Sequence, residues 1–173
     1  MAPLLPEWAT VGGPLNRNVI ASCLLALLIG TVAGMRAMTA PAAVSWAARV
    51  GNLVLSGTWL AFLGYAWAPW TLTLCAAGEL VTDQLPSTPS RTVPVQFATR
   101  LVMGAVCGAA LTAAAWSMLL GAVVGIVGAV IGTLGGRAFR ARLSAALGSD
   151  RPAAVIEDAV ALAGALVVVL ASR

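Results

Sequence analysis

Apolar residues follow one another in long uncharged runs, and the few charges between them divide the chain. Between Arg17 and Arg36 lie 18 uncharged residues, between Arg49 and Glu79 there are 29, between Arg100 and Arg137 there are 36, and 159–172 form a last run of 14. A helix rises about 1.5 Å per residue and the bilayer hydrocarbon is about 30 Å thick, so about 20 apolar residues make one span. The first run suits a single span. The third holds two, joined by a tight turn near Trp116 and Ser117. The last reaches spanning length only by starting near Pro152, which puts Glu157 and Asp158 in its first turns.

The 29-residue run is long for one span and short for two. Trp67-Ala68-Pro69-Trp70 supplies a place to turn, because proline disfavours helix in the residue before it and tryptophan favours the membrane interface. Six helices are therefore predicted, over 18–36, 52–67, 69–84, 97–116, 118–136 and 153–171, with five spans as the alternative. The expected fold is an all-α, polytopic transmembrane bundle with short interfacial helices. Residues 1–17 form an N-terminal tail and 18–173 one transmembrane domain.

Charge supplies an independent vote. Six spans put Arg36, Arg49, Arg91, Arg100, Arg137, Arg140, Arg142 and Arg151 on one side and Arg17 and Arg173 on the other, eight against two; five spans give seven against three. The segment before the first run contains Glu7, three prolines and one arginine, a poor basic region for a cleavable signal, so that run is read as a span. Only 9% of the 173 residues are charged and 60% are hydrophobic, where a soluble domain carries about 25% charged residues. The arginines are scattered between apolar runs and form no patch for nucleic acid.

Candidate chemistry is narrow. Cys23, Cys75 and Cys107 each sit inside an apolar run and there is no histidine, so the cysteines read as small hydrophobes and no metal or other cofactor is expected. No nucleophile with a matching base is recognisable, and an enzyme is not expected.

The charges in and beside the spans are the most informative feature. Glu79 and Asp83, four apart, share one helix face; Glu157 and Asp158 lie about two turns into the last span; Arg36 ends the first span and Arg137 the fifth. With six spans all six fall at one depth and can converge. Two readings stand. The charges are structural pairs or snorkel at the interface, or they bind an ion or charged solute, with Glu79 or Asp83 carrying a proton.

Small residues recur four apart: Gly30 and Gly34; Gly104 and Gly108; Gly121 and Gly125, continued by Gly128, Gly132 and Gly136. Such faces let helices approach closely in lipid. They serve either packing within the chain or association with a second copy as a homodimer. A short internal repeat, 30–38 against 132–139, suggests duplicated halves, each followed by an interfacial helix, with Thr39 as candidate N-cap of the first. In 137–151, Phe139, Leu143 and Leu147 recur four apart around Arg140 and Arg142, the pattern of a short helix lying on anionic lipid.

Gly34-Met35-Arg36-Ala37 with nearby Pro41, followed by Gly78-Glu79-Leu80-Val81-Thr82-Asp83-Gln84-Leu85-Pro86, resembles the bacterial integral-membrane family catalogued as domain of unknown function 4126. Its pattern is G-x-R-A and then E-L-x-x-D-x-x-P. The resemblance implies a small helical protein of the bacterial cytoplasmic (inner) membrane, crossing it several times. It draws attention to Arg36, Glu79, Asp83 and Pro86 and implies no substrate. The leading expectation is a transporter or channel that passes an ion or small charged solute through the Arg/Glu/Asp cluster. The alternative is a non-transporting scaffold or lipid-interacting protein that self-associates through its glycine faces.

Overall fold

A computed structural model describes residues 14–83, 93–113 and 117–172, with side chains from residue 19 onward. Among them are six α-helices and no strand: α1 (Pro14–Met35), α2 (Thr39–Arg49), α3 (Ala68–Thr82), α4 (Pro94–Leu111), α5 (Met118–Leu147) and α6 (Asp150–Ala171). A 3-10 turn, Trp59–Gly64, lies between α2 and α3. Helices α4, α5 and α6 are long and apolar enough to cross a membrane. The apolar part of α1 is Val19–Met35.

Local sequence explains the boundaries. Pro69 and Pro94 sit in the first turns of α3 and α4, where a missing N–H costs nothing. Ser117 caps α5, its hydroxyl accepting from the Leu120 N–H, and Gly148 closes that helix in the left-handed conformation at φ 68°. Three expectations fail. The segment 52–67 is not a helix, because Gly51 and Gly57 take positive φ (84° and 82°) and break the chain into turns. Thr39 is the first residue of α2 instead of its cap, and its buried hydroxyl has no hydrogen-bond partner. Residues 137–147 do not form a separate interfacial helix; they prolong α5, which contains no proline to stop it. The proposed repeat is broken at the same place, since α1 ends at Met35 whereas α5 runs on through Arg137.

The centre of the fold is α1, α4 and α5. A Cβ on Gly104 or Gly108 would overlap the backbone of Gly125 or Gly121, and one on Gly30, Gly34, Gly128 or Gly132 would overlap backbone across the α1–α5 contact. The backbones therefore touch directly, and van der Waals contact over these faces holds the three helices together. Gly136 is buried on the same side of α5. The order of the contacts makes α5 parallel to α1 and antiparallel to α4. The glycine faces are thus used within one chain, and the expected self-association face is already occupied.

Around this core α2 runs beside α6, and α3 returns antiparallel to α2. Arg36, just before α2, meets Asp158, whereas Asn52, just after it, donates to the Val169 carbonyl at 2.9 Å. The indole of Trp46 donates to Thr73 Oγ1 at 3.0 Å and stands edge-on to Trp70 with centroids 5.1 Å apart. Helix α2, not 52–67, carries the chain back along the bundle. Helix α3 touches α2 and the 3-10 turn and leaves most of its surface open.

Candidate functional site

The chain breaks between α1 and α2 at Arg36, Ala37 and Met38, deep in the structure. A break leaves carbonyls without partners at the end of one helix and N–H groups without partners at the start of the next, and each unmet group is costly away from water. Charged side chains from two other helices fill both roles. Glu79, on α3, accepts from the Ala37 N–H through Oε1 and from the Met38 N–H through Oε2, both at 2.8 Å. Arg100, on α4, donates through Nη1 to the carbonyls of Gly34 (2.8 Å) and Met35 (2.7 Å). The Thr133 hydroxyl on α5 adds a bond to the Gly34 carbonyl at 3.1 Å. An anion thus lies at the positive start of α2 and a cation at the negative end of α1, as the helix dipoles favour.

Arg36 occupies the break itself and is fully buried. Its Nε donates to Asp158 Oδ1 on α6 at 2.8 Å, its Nη2 pairs with the same oxygen, and its Nη1 pairs with Asp83 at the end of α3. Glu79 and Arg100 approach to 3.7 Å, so the two caps also contact each other. A neighbouring group extends the layer: Arg140 on α5 forms paired bonds with Asp150 (3.0 and 2.5 Å) and reaches to 3.7 Å from the fully buried Glu157.

Five of the six expected residues, Arg36, Glu79, Asp83, Glu157 and Asp158, therefore lie in one charged layer. Arg137 does not. It is exposed, because one residue past Gly136 turns the side chain about 100° away from the face that packs. Arg140, four residues past Gly136, returns to that face and takes the expected place. It is half-buried against two carboxylates, Asp150 and Glu157, while Arg142 is exposed.

Arg100 is the residue that span-counting misses. It is 2% exposed and six residues into α4, although the sequence counts it only among the charges on one side of the membrane. The signal was present: Arg100, Gly104 and Gly108 recur four apart, so the guanidinium extends the glycine face by one turn. The segments carrying the family resemblance meet here through Arg36, Glu79 and Asp83, whereas Pro86 lies outside the described residues.

Among the described residues no group of His, Cys, Asp and Glu is arranged to hold a metal ion. The arrangement can exchange partners between fixed positive and negative groups, accept a proton at a carboxylate, or receive an ion in place of a paired side chain. Comparison with family models, with curated proteins and with solved structures finds no match.

Proposed function

We propose that the protein is a small multi-pass transporter or channel of a bacterial cytoplasmic membrane that moves an ion or small charged solute past the break between α1 and α2. The observation that carries this reading is the capping of both broken ends by charged side chains from other helices, the start of α2 by Glu79 of α3 and the end of α1 by Arg100 of α4. Interrupted helices whose ends face charged groups are a device by which transporters build binding sites within the membrane. Ionisable groups inside a membrane are costly and mark translocation paths. Glu79 and Asp83 reside on α3, the helix with least packing, so α3 can carry its carboxylates away from Arg36 and Arg100 without opening the glycine-packed core.

In this reading the chain crosses the membrane six times, with α2 and the turn after it forming the second, shortened pass. The layer of charge lies toward the cytoplasmic side, and exposed Arg142 with Arg137 and Arg151 faces anionic headgroups. The scaffold alternative keeps the ion pairs as structural locks. It has lost its expected surface, because the glycine faces that would join two copies are spent within one chain.

The test is charge movement by proteoliposomes on a solid-supported membrane under proton, cation and anion gradients. The reading predicts a current in the native protein that disappears in a folded Glu79→Gln variant. Absence of both current and electroneutral flux under all gradients assigns the charges to structure.

A further inference from the structure

The two flanks of the bundle offer the bilayer different thicknesses. On the flank of α1 and α5, uncharged sequence covers Met118 to Gly136, 18 residue steps or about 27 Å. On the flank of α2 and α3 three rulers are shorter. Helix α2 has 11 residues, about 16 Å. Along α6 the distance from Asp158, level with Arg36, to Val169, level with Asn52, is 11 steps and again about 16 Å. Along α3, Trp70 to Asp83 is 13 steps, about 20 Å.

The two ends of the short flank mark the edges of the hydrocarbon. At one end the chain is irregular around Gly51, Ser56 and Gly57, all exposed, and irregular backbone facing lipid is not tolerated in the hydrocarbon. The same end carries a belt of exposed aromatic rings, Trp59 (66%), Tyr65 (53%), Trp67 (58%) and Trp70 (66%), the residues that settle at headgroup level. At the other end lie Glu79 and Asp83. Between them the face of α3 is apolar and open, with Leu74 75% and Val81 66% exposed. Tilting α3 would only shorten its reach.

From these lengths the geometry points to a locally thinned bilayer: the lipid surface against α3, which covers the buried α2, is drawn in to about 20 Å of hydrocarbon, while α5 sits in lipid close to its usual thickness. The aromatic belt anchors the thinned leaflet. The inference rests on the membrane reading and not on transport, and it shortens the path for charge at the break.

The test is depth profiling by electron paramagnetic resonance in dioleoyl phosphatidylcholine vesicles. Single spin labels are placed on exposed positions of α3 (Trp70, Leu74, Cys75, Ala77, Val81, Thr82), with Cys23→Ser and with buried Cys107 retained. A matching series runs along the exposed face of α5. Oxygen and a water-soluble nickel chelate report depth at each label. The inference predicts that the stretch shielded from the chelate is at least four residues shorter on α3 than on α5, with its centre near Cys75. A smaller difference, or a shielded stretch that continues past Trp70 toward the 3-10 turn, overturns it. Native stability and currents are read separately, so failure of the thinning leaves the transport test intact.

Discussion

Glu79 and Arg100 hold the two sides of one chain break, the carboxylate on the N–H groups of Ala37 and Met38 and the guanidinium on the carbonyls of Gly34 and Met35, with 3.7 Å between the two side chains. Each replaces hydrogen bonds that a continuous helix would have made for itself. Both therefore stabilise the break. Glu79→Ala removes both acceptors and is expected to lower stability by about 2 kcal/mol, with Glu79→Gln, which keeps one acceptor, losing less. Thermal unfolding in mild detergent, followed by circular dichroism, gives the order.

Arg100→Lys is not a mild change. One planar nitrogen serves two carbonyls while another faces Glu79, and a compact ammonium cannot reproduce that fork. Arg100→Met leaves the two carbonyls with fewer donors and should cost about 2–4 kcal/mol, with Arg100→Lys in between. Unfolding by titrated sodium dodecyl sulfate measures both against the native protein.

The Arg36–Asp158 pair gives a sharper contrast. Removing one partner of a buried pair leaves the other charge poorly compensated, so Arg36→Gln and Asp158→Asn should each destabilise, Arg36→Gln by about 3–5 kcal/mol because its contacts with Asp158 and with Asp83 are lost together. The double variant is expected to cost less than the sum. A double-mutant cycle on unfolding free energies reads the coupling, and simple additivity would contradict the pairing.

Glycines divide into two classes. Gly108→Ala and Gly125→Ala place a methyl group into facing backbone and should cost about 2 kcal/mol or more. Gly78→Ala and Gly135→Ala meet open space and should be neutral or stabilise by up to about 1 kcal/mol, because alanine favours helix. Thermal shift of the four purified variants separates the classes.

Much of the charged layer was legible because intramembrane charge is rare. Arg36, Glu79, Asp83 and Asp158 stood out against apolar sequence, and a common depth brought them together. Arg100 and Arg140 were hidden by different causes: Arg100, at the edge of a charge-free run, counted as a boundary, and Arg140 read as part of a lipid-facing helix, although each lies four residues from a packed glycine, Gly104 and Gly136. Continuing the glycine periodicity by one turn finds both. The short helix α2 and the turns after it were not legible, since hydropathy scores an uncharged irregular segment such as 52–67 like a span. The positive φ of Gly51 and Gly57, and the burial of Leu53 and Leu55 among turns, emerge only when the neighbouring helices are in place.

The account turns on whether the break opens to both sides of the membrane. Thr39 begins α2 beside it, 4% exposed, with no hydrogen bond from its hydroxyl to lose. The decisive measurement is the reaction of Thr39→Cys with a membrane-impermeant maleimide in right-side-out and inside-out vesicles, with Cys23 and Cys75 replaced. Transport through the break predicts labelling from each face, with the balance shifted by an imposed ion gradient. Labelling from neither face, or from one face under every gradient, would contradict it.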